Sequence, residues 1–144
     1  MPTPPPPAAL FAPVFALVAW TFCILLLIAF RRLQAGFNGT VSPREYALGE
    51  SGRVTAPVSL PNRNYMNLLE LPLLFYVGML LAHVTASATP LLITLAWAYV
   101  ALRIVHSLIH VTYNHVLHRF VAFASSNFAL LGIWALLAQA LLFA

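Results

Sequence analysis

The chain has no lysine and no aspartate, a single cysteine, and seven arginines and three glutamates as its only formally charged side chains among 144 residues. Each shortage excludes something. One cysteine, Cys23, cannot form an intramolecular disulfide or a CxxC redox pair. No glycine-rich phosphate loop precedes a helical segment, and no serine, histidine and acid share the spacing of a nucleophilic triad. The net charge of +4 comes from a one-sided arginine set, so it reads as topology and site chemistry rather than nucleic-acid binding.

What the chain has instead is apolar surface: 62% of its residues are hydrophobic and its mean hydropathy is +0.90, the composition of an integral membrane protein. Residues 1–30 and 120–144 contain no charged residue, and 71–102 are uncharged apart from His83. A hydrocarbon core of ~30 Å takes ~20 helical residues to cross, and these runs supply them. The expected fold is an all-α, four-helix transmembrane bundle in a single domain spanning 1–144. Its spans are predicted at about 10–30, 64–83, 91–111 and 120–143, with a long first loop at 31–63.

Local signals set those limits. Thr89 and Pro90 form a cap followed by a proline where a missing amide hydrogen is harmless, and Pro61 and Asn62 mark the second span's start in the same way. Pro72, shortly after Glu70, is expected to loosen or kink that span. The proline-rich leader lacks a basic signal-peptide region, so the first apolar run is expected to be retained. Glycine and proline recur through the first loop, which should be ordered only by packing or by ligand. Arg31, Arg32, Arg44, Arg53 and Arg63 belong to that loop or its edges and Arg119 to the third loop, whereas the other ends lack arginine. Both termini should therefore be non-cytoplasmic, with the first and third loops cytoplasmic.

Against this background two polar stripes stand out. Arg63, Asn67 and Glu70 follow offsets of four and three, which places them within about 60° of arc on one helical face. On the third span Tyr99, Arg103, His106 and His110 follow offsets of four, three and four. Glu70 lies ~10 Å along its helix from Arg63, and Arg103 lies at a similar depth, so antiparallel packing would let the two neutralise each other. Such a pair can serve packing alone. The donors of Arg63, Asn67, Tyr99 and Arg119 exceed what one carboxylate can satisfy, and this surplus points to an anionic small molecule bearing carboxylates.

Histidines at 106, 110, 115 and 118 permit a metal or haem reading, since two side chains four apart can ligate one ion. Hydrogen-bonded histidines on a polar face are the better reading, because His115 and His118 fall in a surface turn with no cysteine or aspartate nearby. His83 reads as an interfacial residue. Ser107, Ser125, Ser126 and Asn127 read as close-packing residues, and Gln139 as interhelical glue.

At these residues the chain resembles the MAPEG family, the membrane-associated proteins of eicosanoid and glutathione metabolism. The second-helix pattern stands here as Arg63-x-x-x-Asn67-x-x-Glu70 with Pro72 following, and Arg103-x-x-His106 looks like the third-helix segment of the microsomal glutathione transferase and prostaglandin E synthase branch. The resemblance places Arg119 at that branch's catalytic arginine. It implies a homotrimer in the bilayer with glutathione between subunits, held by Arg63, Asn67, Glu70, Tyr99, Arg103, His106, His110 and Arg31 or Arg32. It also implies a lipophilic electrophile entering from the membrane and no metal. Leu71, His110 and Phe120 depart from hydroxyl-bearing positions of several branches. The competing expectation is a non-enzymatic membrane bundle that binds a lipid or a partner and keeps the same residues for packing.

Overall fold

A computed structural model describes residues 5–47 and 49–143. The described chain is helical, with α1 at Pro7–Phe37, a short 3-10 turn at Pro43–Tyr46, α2 at Ala56–Leu69, α3 at Pro72–Val84, α4 at Pro90–Val111 and α5 at Val116–Leu142. Because α2 and α3 follow one another across a single break, four segments are long and apolar enough to cross a membrane: Pro7–Phe37, Ala56–Val84, Pro90–Val111 and Val116–Leu142.

The helices overrun the apolar spans, because hydropathy marks where hydrocarbon begins and not where a helix begins. α1 extends about 45 Å at the usual rise, well beyond the ~30 Å core, so Arg31 and Arg32 stand on its last turns rather than in a loop. It stops where Gly39 takes a positive φ of 66° and the Thr40 amide bonds back to the Ala35 carbonyl at 3.0 Å, a closure that glycine permits without strain. α2 starts at Ala56, with Pro57 in its first turn, and runs through the Pro61–Asn62 boundary read from sequence.

Packing orders the first loop. Arg32 pairs with Glu50 at 3.0 Å, Ser59 on α2 donates to the other Glu50 oxygen at 2.7 Å, and the Arg32 guanidinium lies 4.6 Å from the Tyr46 ring centre. Arg53 pairs with Glu45 at 3.5 Å, and Ala35, Val41 and Val58 form a small apolar cluster beneath.

At Pro72 the predicted kink is a full interruption. Proline has no amide hydrogen to continue the ladder, and the backbone leaves the helical region at Glu70, with ψ −94°, so α2 ends at Leu69 and α3 restarts with Leu73 bonding the Glu70 carbonyl. The Asn67 carbonyl, left in the last turn of α2, accepts a hydrogen bond from the Arg103 guanidinium on α4. A helix C-terminus favours such a cation.

The core gathers one stripe from each crossing: Leu10, Leu17 and Ile24 of α1, Phe75 and Met79 of α3, Leu92, Ala96 and Val100 of α4, and Ile133 and Leu137 of α5. α4 and α5 form the most extensive pair. At Gly132 a Cβ would stand 3.1 Å from Leu95 Cδ1, so this glycine allows their close approach. Thr89 caps α4 through the Leu92 amide at 3.2 Å, as the Thr-Pro signal implies. The buried Asn64 amide donates to the Ser107 hydroxyl, joining α2 to α4. Large apolar side chains such as Phe15, Phe22, Leu26, Phe128 and Leu131 remain on the outside, as a bilayer-embedded surface requires.

Candidate functional site

A cavity of about 400 Å³ opens where α2, α4 and the first turns of α5 meet. Arg63 and Asn67 line it from α2, His106 and His110 from α4, and Val116, Arg119, Phe120 and Phe123 from α5. Its size falls in the range of small-molecule sites, ~300–1,000 Å³. Two arginines and no carboxylate line it, so its field is positive, and the amide dipoles at the start of α5 add to that sign.

Several bonds fix the walls. His106 Nδ1 lies 3.0 Å from the Arg119 carbonyl oxygen, and a carbonyl only accepts, so Nδ1 carries the proton and the neutral ring presents Nε2 as an acceptor. That Nε2 and the Nδ1 of His110 are buried and without protein partners among the described residues. The two rings meet edge to face with centroids 5.7 Å apart, and Phe123 flanks His106 at 5.6 Å. Arg119 donates from Nη1 to Asn114 Oδ1 at 2.7 Å. On α2, Asn67 Nδ2 bonds the Arg63 carbonyl at 3.1 Å, while the Arg63 side chain is exposed.

Arg103 lies under this floor. It is fully buried, bonded to the Asn67 carbonyl, with its guanidinium carbon 5.4 Å from the Phe123 ring centre. It thus supports two residues that line the cavity. Outward, Val116 and Phe120 are exposed, so the cavity's rim is apolar.

Most of the residues singled out from sequence meet at or under this cavity, but some do not. Glu70 is exposed and forms no ion pair with Arg103; the ion pairs among the described residues are Arg32–Glu50 and Arg53–Glu45. Glu70 closes the last turn of α2, its amide still bonded to the Met66 carbonyl at 3.2 Å, and Arg103 bonds the Asn67 carbonyl instead of its carboxylate. Tyr99 sits a turn deeper in the core, stacked on Phe75 at 4.8 Å. Arg31 lines a separate notch of about 120 Å³ with Gln34, Asn38 and Thr40 against the start of α2. Arg119 stands on the first turn of α5 rather than in the connecting loop. Sequence reasoning missed Asn114, Val116 and Phe123. Only Asn114 carried a signal, a turn-forming residue between two helices.

Among the described residues no three histidine, cysteine or acidic side chains converge as ligands for one ion. The His115 ring instead accepts the His118 amide at 3.5 Å as the α5 cap, and Tyr113 and His118 lie 3.1 Å apart through Oη and Nδ1.

The helices and the cavity together define a multi-pass membrane protein with a cationic site whose rim is apolar. The chain belongs to the MAPEG family, whose model matches residues 10–139, nearly its whole length. No curated protein and no solved structure matches it.

Proposed function

We propose that the protein is a glutathione-dependent membrane transferase or peroxidase acting on hydrophobic electrophiles. One observation carries the reading: a positive, carboxylate-free cavity with free histidine nitrogens lies directly beside an apolar rim. An acidic, water-soluble thiol and a lipophilic partner need those two surfaces in contact. Arg63 and Asn67 hold carboxylate and amide groups of glutathione, and His106 Nε2 offers it an acceptor. Arg119 places positive charge near the sulfur and favours the thiolate that attacks the electrophile. Lowering a thiol pKa by two units takes ~2.7 kcal/mol of preferential stabilisation, which a guanidinium placed beside the sulfur supplies.

The reading includes a homotrimer, in which Arg31 and Glu70, outside the cavity of a single subunit, serve the site across a subunit boundary. It also places both termini on the non-cytoplasmic side and the cavity near the cytoplasmic surface, following the arginine distribution. Family membership supports the glutathione assignment.

Addition of glutathione to purified protein in detergent should raise thiolate absorbance, and Arg119→Ala should abolish the rise. Absence of glutathione binding at millimolar concentration would sink the reading.

A further inference from the structure

The turn between α4 and α5 does more than reverse the chain. Asn114 has a positive φ of 47°, and its amide closes the end of α4 by bonding the Ile109 carbonyl at 2.8 Å. Asparagine adopts this left-handed backbone more readily than most side-chain-bearing residues. Fixed in this way, its side-chain oxygen receives Arg119 Nη1 at 2.7 Å. We propose that Asn114 is a positioning residue for Arg119, a neutral acceptor that orients the guanidinium over the cavity without cancelling its charge. The proposal rests on the glutathione-dependent function above and names a determinant of that same site.

The choice of acceptor is the physical point. Arg32 and Arg53 are each held by a glutamate, which fixes the side chain and neutralises it together. Arg119 has no carboxylate partner among the described residues. Its flexible side chain is held by a charge-assisted bond to an amide dipole, and its backbone by His106 Nδ1 on the Arg119 carbonyl. With Nη1 occupied by Asn114, the remaining guanidinium donors are left for an anion in the cavity that Arg119 lines.

Glycine accepts the same backbone conformation, so Asn114→Gly removes the acceptor and keeps the turn. Asn114→Asp keeps an acceptor and adds the charge that the native residue avoids. The test measures thiolate absorbance of bound glutathione against pH for the full-length protein in detergent, with binding of S-methylglutathione by calorimetry as a thiol-free reference.

Asn114→Gly is expected to raise the midpoint of thiol ionisation by about one unit, roughly tenfold less thiolate at a given pH below it. Affinity for S-methylglutathione should stay within about threefold of wild type. Asn114→Asp should raise the midpoint at least as far. A wild-type midpoint in either variant overturns the proposal, as does a loss of S-methylglutathione affinity in Asn114→Gly as large as the loss of thiolate. Wild-type protein that fails to bind glutathione, or binds it with the thiol midpoint of free glutathione, removes the functional reading and this assignment together. A wild-type signal that Arg119→Ala abolishes and Asn114→Gly retains removes the assignment alone.

Discussion

Two arginine-rich regions of this small protein treat the same side chain in opposite ways. Around the first loop, Arg32 and Arg53 are matched to Glu50 and Glu45, and the Arg32 pair is tied further to Ser59 and Tyr46. Around the cavity, Arg63 and Arg119 face no carboxylate, and Arg119 is held by an amide and Arg103 by a backbone carbonyl. A guanidinium paired with a carboxylate organises a loop. One held only by neutral dipoles keeps its charge for something that arrives from outside.

The largest consequence should appear in turnover. Arg119→Ala is expected to lower kcat for conjugation of a lipophilic electrophile by about 10²–10³, the usual loss when a donor to developing negative charge is removed. Arg53→Ala, which breaks a loop pair, should leave kcat within about twofold in the same assay. If both variants fall equally, the distinction between the regions fails.

A carboxylate can also be moved into the cavity. Val116 lines it from the same helical turn as Arg119, so Val116→Glu should supply the missing counter-charge. Glutathione affinity by isothermal titration should weaken about tenfold, equivalent to ~1.4 kcal/mol. An unchanged affinity would show that the positive field there is not what recruits the ligand.

Smaller effects belong to the loop. Glu50→Gln removes the ion pair with Arg32 but retains an acceptor for Ser59. It should destabilise the protein by about 1 kcal/mol, seen as a lower thermal midpoint in detergent, with glutathione affinity unaltered. Glu45→Gln should change the midpoint least, by under ~0.5 kcal/mol, because Arg53 is exposed and its pair is screened by salt.

The stripe of Arg103, His106 and His110 was legible because polar groups at helical spacing in an apolar chain must face one another, and all three are buried on one side of α4. The same rule misjudged the partner of Arg103, since the break after Glu70 leaves the Asn67 carbonyl open and the guanidinium bonds that backbone group instead of the carboxylate. Thr89 and Pro90 announced the start of α4 correctly because a cap acts through neighbours in sequence. Ser107 was read as a small packing residue, yet its hydroxyl bonds Asn64 from another helix, a tertiary fact that no local pattern carries. Phe123 stayed hidden among ten phenylalanines, and only the chain's three-dimensional course shows it between His106 and Arg103.

The interruption between α2 and α3 also imposes an order on biogenesis. During synthesis α2 and α3 are made before α4, and in this geometry the Asn67 carbonyl has no donor among the described residues until Arg103 arrives. Docking of Arg103 from α4 completes that helix end. Arg103 therefore enters the membrane with a destination already waiting, and the two halves of this hairpin must mature as one unit.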